Sequence, residues 1–325
     1  MSVVIPAYNE EESLDTLHRE LRAVAAANNY QMDIIFVDDG STDRTWEVIY
    51  KLAAADTKVR GICFRRNFGK AAGLSAGFAV ATGDIVMTLD ADLQDDPAEI
   101  PRFLAALGPN DNKQSKDVIS GWKQIRHDPW HKVWPSRVFN WMVSRLTGVN
   151  LHDHNCGMKC YRREVLQEVR LYGELHRFVP VLAAGRGFRV GEIRIEHRAR
   201  RFGHSKYGFT RFMKGFLDLL TVRFITGYGQ RPQHFLGTAG MISFALGGFA
   251  AAYLALEWVV SRLGLIPGYL PVELHTRPAL LYAIAFLLMG GQFMSIGFVA
   301  ELFVAYNEPN IPPYSISART PVHEK

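Results

Sequence analysis

Residues 83–97 read GDIVMTLDADLQDDP, and this stretch changes character halfway along. Residues 84–89 are nearly continuously apolar, as in a strand covered on both faces. The run stops at Asp90-Ala-Asp92, where two carboxylates stand one residue apart. A buried strand ending abruptly in acids predicts a parallel sheet with ligand chemistry at the carboxyl ends of its strands.

The same alternation extends outward. Short apolar runs at 3–6, 33–37 (DIIFV) and 59–64 predict further strands, and 118–121 another. Between them, helices are expected from the Asn9-Glu-Glu-Glu-Ser13 start to about 27, over 44–55 and over 70–81. Strand alternating with helix at this spacing predicts an α/β, doubly wound, mostly parallel sheet. Further on, 110–115 reads as a loop and 126–135 as turn-rich. Residues 136–146 and 162–169 read as helices.

The last third is a different object. Apolar runs at about 235–260 and 279–306 approach or exceed the roughly 20 residues that cross a bilayer as helix. They predict a C-terminal two-helix transmembrane hairpin. Glu257 and Glu301 fall near the ends, within reach of headgroups or water. Gln292 lies well inside, where a hydrogen bond between the two helices would satisfy it. Residues 209–225 (FTRFMKGFLDLLTVRFI) alternate apolar and basic faces, which suits a helix lying at the membrane surface or packed on the soluble part.

The chain of 325 residues carries a net charge of +5. Its basic residues crowd the entrance to the first span (Lys206, Arg211, Lys214, Arg223, Arg231), so they point to lipid headgroups rather than nucleic acid. Only Arg262 and Arg277 lie between the spans, which puts that loop outside and the bulk of the chain in the cytoplasm. The first residues lack a basic region followed by an apolar core, so no secretory signal is expected. Three cysteines, Cys63, Cys156 and Cys160, suggest reduced thiols rather than a disulfide framework.

Four clusters offer chemistry. Asp90 and Asp92 suit a hard cation whose remaining ligands are phosphate oxygens. Such a cation neutralises charge on a departing pyrophosphate. The plain alternative is an acidic turn, with Asp96-Pro-Ala-Glu capping a helix. Asp38-Asp-Gly-Ser-Thr-Asp43 places acids where nucleotide folds bind ribose or base, or is simply a turn at Gly40 with Ser41 or Thr42 as helix cap. Pro6-Ala-Tyr-Asn-Glu10 supplies the Tyr8 ring for stacking and the Glu10 carboxylate. Residues 197–208 (HRARRFGHSKYG) hold Arg198, Arg200, Arg201 and Lys206, suited to phosphate or to headgroups. No Walker A spacing is present. The His152-Asp-His-Asn-Cys156 stretch with Cys160 matches no closed zinc site.

Taken together, VVIPAYNE, VDDGSTDRTW, GDIVMTLDADLQDDP, DHNCGMKCYRREV and RARRFGHSKY, in that order, resemble family 2 glycosyltransferases of GT-A fold. They resemble in particular the dolichol-phosphate mannose synthase and bacterial polyprenyl-phosphate glycosyltransferase type. The resemblance implies nucleotide-sugar contacts at Pro6, Tyr8, Glu10, Val37, Asp38, Asp39, Asp90, Lys123 and Arg137. It implies Mg2+ or Mn2+ held by Asp90, Asp92 and Gln94, and acceptor phosphate met by Arg200 and Lys206. Asp153 matches the acid of the family's D-x-x-x-G-F loop, although Cys-Gly-Met-Lys stands where related enzymes have G-D-F-R.

The implied reaction is inverting transfer of a hexose from GDP-mannose or UDP-glucose to a polyprenyl (undecaprenyl) phosphate, with Asp92, Asp153, Arg200 and Lys206 as catalytic candidates. The expected layout is a catalytic domain over 1–208, an interfacial segment over 209–231, the hairpin over 232–306 and a cytoplasmic tail over 307–325. A homo-oligomer is compatible with it. A saccharide acceptor is the second reading, although the Q-x-x-R-W segment of that class is not found. A non-catalytic membrane scaffold of the same fold is the third.

Overall fold

The computed structural model describes residues 1–109, 114–124, 130–169, 171, 175–196, 198, 209–228, 231–263 and 273–306, with backbone alone at 130–135, 209–214 and 304–306. Arg200, Arg201, Lys206, the basic side chains at 211 and 214, and the tail from 307 lie outside the described residues. The chain divides into two compact units at Thr226/Gly227.

The first unit runs β1 (Ser2–Ala7), α1 (Leu14–Ala27), β2 (Asp33–Asp38), α2 (Thr45–Ala55), β3 (Val59–Cys63), α3 (Lys70–Val80), β4 (Ile85–Thr88) and α4 (Ile100–Leu107). It continues through β5 (Val118–Lys123), α5 (Trp130–Thr147), β6 (Lys159–Arg162), α6 (Arg163–Glu168), α7 (Val179–Gly185), β7 (Val190–Ile195) and α8 (Phe209–Tyr228). The strands form one sheet ordered β3-β2-β1-β4-β6-β5-β7. Only β6 runs antiparallel to its neighbours, β4 and β5.

The strands are apolar on both sides because both faces are covered. Val3, Ile5, Ile34, Phe36 and Met87 face α1, α2 and α4, with Leu17, Ile49 and Phe103 against them. Their neighbours Val4, Ile35, Val37 and Val86 point the other way, onto Leu74 of α3. Each side chain of this kind contributes roughly 1.5–3 kcal/mol on burial. Further along the second face, Val118 and Tyr161 pack on α6 and α7.

Several sequence expectations need correction. Residues 130–135, read as turn-rich, are the first turns of α5. The segment read as a loop leading into a helix at 162–169 contains β6 first, and the helix begins at Arg163. Neither Ser41 nor Thr42 caps α2. The N-cap position is Arg44, which makes no side-chain cap bond, and the preceding Asp43 accepts from Thr45 N at 3.0 Å and Thr45 Oγ1 at 2.5 Å. Helix α8 buries Leu219 and Val222 against Phe139, Val143 and Phe178, and leaves Leu217, Leu220 and Ile225 exposed. One face therefore packs on the rest of the first unit while the other stays apolar and open.

The second unit is a pair of helices, α9 (Pro232–Arg262) and α10 (Pro278–Tyr306). Both contain windows long and apolar enough to cross a membrane. Glycines let them approach closely: a Cβ on Gly290 would lie 2.7 Å from Gly240 O, and one on Gly247 2.7 Å from Ala283 O. Arg277 pairs with Glu257 at 2.6 Å near one end, and Glu301 accepts from Gln233 N at 3.2 Å near the other. These carboxylates thus clamp the hairpin. Gln292 does not bridge the helices, since it is exposed on the hairpin's outside. Away from the ends, Ser243 Oγ donates to Phe286 O across the helices at 2.8 Å.

Candidate active site

Strand order reverses at β1, which has β2 on one side and β4 on the other. That crevice is where α/β sheets collect ligands. Pro6 and Ala7 end β1 opposite Val37 and Asp38 of β2, while Asp90 and Asp92 follow β4 directly. Because β6 is antiparallel and pairs Lys159 with Thr88, the loop before β6, with Asp153 and Gly157, returns to the same edge. Lys123 ends β5 there too.

The loops after β1 and β2 are tied together. Asn9 N donates to Ser41 Oγ (2.9 Å), Thr42 N to Asn9 Oδ1 (2.8 Å) and Glu10 N to Thr45 Oγ1 (2.9 Å). Asp38 is buried and accepts from Ser41 N and Oγ, which shapes the turn. Asp39, also buried, accepts from Phe68 N (2.7 Å) and Gly69 N (2.9 Å). Gly40 has φ +69°, and a Cβ there would sit 2.4 Å from the Arg66 carbonyl carbon. These acids therefore hold the 65–69 loop against the crevice. Tyr8 is 40% exposed, and Phe68 is exposed just before the start of α3.

The acidic turn after β4 is the electrostatic centre. Leu93, although buried, takes φ +60°, a conformation uncommon outside glycine and frequent at functional sites. Asp92 Oδ1 accepts from Gln94 N at 3.2 Å. Lys70, the first residue of α3, pairs directly with Asp90 Oδ1. Burial alone would raise the Asp90 carboxyl, but Lys70, then Lys123 and Lys159, hold it at about 2. Lys123 Nζ lies 2.9 Å from the buried carboxylate of Asp95. Burial disfavours its charge, yet Asp95 keeps it firmly protonated.

The Asp153 loop is pinned from two sides. Asn140 Nδ2 of α5 donates to His152 O (2.9 Å), and Ser144 Oγ lies 3.2 Å from His154 Nε2. Thr88 Oγ1 donates to Gly157 O at 2.8 Å. Asp153 is buried, and its Oδ1 accepts from Asn155 N at 3.0 Å. Burial pushes the thiols of Cys156 and Cys160 up to about 12, so both stay protonated at neutral pH.

Of the residues singled out from sequence, Pro6, Tyr8, Glu10, Val37, Asp38, Asp39, Asp90, Asp92, Gln94, Lys123 and Asp153 thus lie on one sheet edge or its loops. Arg137 is exposed on α5. Arg198 is committed elsewhere, paired with Glu20 and Asp96 at 2.7 Å each. Sequence reading missed Lys70, Asp95, Gly157 and Lys159. Asp95, Gly157 and Lys159 stand inside the quoted motifs without being singled out, and Lys70 stands outside them.

Residues 2–170 match the profile of Glycosyl transferase family 2. The chain belongs to that family. It is 34% identical over 322 residues to a dodecaprenyl-phosphate galacturonate synthase of Rhizobium johnstonii, covering 97% of this chain and 91% of that one. It is 37% identical over 304 residues to an undecaprenyl-phosphate 4-deoxy-4-formamido-L-arabinose transferase of Pseudomonas fluorescens, covering 93% and 83%. Glucosyl-3-phosphoglycerate synthase from Mycobacterium tuberculosis, solved with Mn2+, UDP and phosphoglyceric acid, shares the fold with a TM-score of 0.53 at 17% identity. That match covers 69% of this chain and 77% of that one. The GT-A fold expected from the motifs is therefore the fold observed.

The donor set fits a hard divalent cation. Asp90 and Asp92 offer carboxylate oxygens and Gln94 an amide oxygen, with Lys70 competing for Oδ1 of Asp90. Among the described residues no group of three or more His, Cys, Asp or Glu could hold a metal. A cation held here would need further ligands from a bound phosphate.

Proposed function

We propose that this family 2 glycosyltransferase transfers a sugar from a nucleotide donor to a polyprenyl phosphate, giving a lipid-linked monosaccharide for cell-envelope glycan synthesis. The observation that carries the reading is the Asp90–Asp92 turn at the β1/β4 crevice, ringed by Lys70, Lys123 and Lys159. Such a site binds a diphosphate through a cation and lysines together. The names of the relatives, both polyprenyl-phosphate enzymes, support the acceptor.

Asp90, Asp92 and Gln94 would hold Mg2+ or Mn2+, which supplies Lewis-acid stabilisation of the departing diphosphate. Tyr8 stacks on the base, and the Pro6–Glu10 and Val37–Asp39 edges frame the nucleoside. Lys70 and Lys123 face the diphosphate. Arg200 and Lys206 receive the acceptor phosphate. A phosphate monoester is largely dianionic at neutral pH, so its oxygen attacks the anomeric carbon as the bond to the nucleoside diphosphate breaks. No proton has to move, and Asp153 positions the loop rather than serving as a base. The configuration inverts by direct displacement.

In this reading α9 and α10 span the cytoplasmic membrane, the catalytic unit lies in the cytoplasm, and α8 rests its exposed apolar face on the lipid surface. The test is a donor screen with purified chain and undecaprenyl phosphate. GDP-mannose and UDP-glucose are two arms, and nucleotide-linked galacturonate and 4-deoxy-4-formamido-arabinose are two more. Label in the lipid fraction with one donor supports the proposal, and no label with any donor refutes it.

A further inference from the structure

Gln292 is the central residue of α10, and it faces away from the hairpin. Two residues on from Gly290, which packs against Gly240 O and Phe244, it is turned by about 200° around the helix. It is exposed, and no hydrogen bond to it is found among the described residues. Along the same outer face, Leu281, Ala285, Leu288, Gln292, Ser295 and Val299 are all exposed and follow one another at alternating spacings of four and three. Such spacing keeps these residues on one stripe of the helix, with Gln292 in its middle. Ser295 Oγ is satisfied within the helix, on Gly291 O at 2.9 Å. Beside the amide, a Cβ on Gly291 would meet nothing within 4 Å, which leaves room for a close neighbour.

We infer that this seam is a self-association surface, on which α10 of a second copy of the chain packs with its Gln292 bonded to the first. The inference rests on the reading that α10 spans the membrane. An unpaired primary amide in hydrocarbon is costly, and acyl chains offer it neither donor nor acceptor. A carboxamide carries both, so two of them related by a twofold axis satisfy each other. A soluble partner does not reach the middle of a span, and a lipid phosphate stays at the surface. The small residues Ala285, Gly291 and Ser295 flank the amide, as close helix pairing in membranes requires.

The experiment uses the full chain in membranes, with Cys63, the exposed native thiol, changed to serine. Single cysteines replace Leu288 or Val299 on the seam, or Phe298 on an exposed lateral face, and thiols are oxidised with copper phenanthroline. Seam positions should cross-link into dimers and Phe298→Cys should not. Gln292→Leu should lower the cross-linked fraction at limiting protein by roughly fivefold to tenfold, the loss of the reciprocal amide pair. Gln292→Asn should retain most of it. Equal cross-linking at 298, none at 288 and 299, or indifference to Gln292→Leu overturns the inference. An alkaline wash separates the two claims: a chain that washes off removes the spanning reading along with the seam, whereas a retained chain that does not cross-link removes the seam alone.

Discussion

Gly157 lies against the carboxylate of Asp90: a Cβ added to it would stand 2.5 Å from Oδ2 and 2.6 Å from Cγ. The acid loop and the acidic turn are therefore shaped to each other, and the contact tolerates no side chain. Gly157→Ala should push Asp90 aside and weaken metal-dependent nucleotide binding by about tenfold or more, with a stability loss of about 1–3 kcal/mol from overpacking. Calorimetric titration of nucleotide with and without Mn2+ checks this. An unchanged metal-dependent affinity would contradict it.

Lys70 shares Asp90 with any incoming cation. Lys70→Ala should raise the affinity for Mn2+ alone severalfold, since a competing charge is removed. It should at the same time weaken nucleotide binding, because that charge faces the diphosphate. Manganese spin resonance reads the first effect and nucleotide titration the second. A fall in both affinities would show that Lys70 merely maintains the fold.

His154 is buried, and burial, helped by Lys159, lowers its pKa to about 4. An unfolded histidine has a pKa of about 6.5, so the unfolded chain binds the proton that the native loop refuses. The contribution is complete above about pH 6.5. It is lost as pH falls toward 4, at about 1 kcal/mol per pH unit. Denaturant midpoints measured across that range should fall steadily, and His154→Asn should flatten the slope.

Arg198 pairs with Glu20 and Asp96 and is partly exposed. Arg198→Ala should cost at most about 1 kcal/mol of stability, as partly exposed pairs do, and leave KM for polyprenyl phosphate near wild type. Arg200→Ala or Lys206→Ala should raise that KM or lower kcat by about tenfold or more. Matching defects in all three would contradict the division of labour.

Much of the fold was legible because its strands are short apolar runs closed by acids, as in DIIFV before Asp38 or DIVMTL before Asp90. Strand β6 was not, since Lys159-Cys-Tyr-Arg162 carries charges at both ends and owes its place to pairing with β4 and β5. Gln292 was misplaced for another reason. A helix apolar on every side offers no reference azimuth, so which face meets its neighbour is set by Gly240, Gly247 and Gly290 in three dimensions. Within the site, the acids announced themselves by spacing. Lys70 and Lys159 did not, because each reads as an ordinary helix or strand residue until the sheet edge assembles.

The central claim is metal-assisted transfer to a polyprenyl phosphate at the Asp90–Asp92 turn. The most direct measurement is label transfer from the accepted donor to undecaprenyl phosphate by the purified full chain, with Mn2+, with EDTA, and with Asp92→Asn. The account predicts lipid-linked label with Mn2+, abolished by EDTA, restored by added metal, and reduced at least about a hundredfold in Asp92→Asn. Full activity in EDTA or in Asp92→Asn would contradict it.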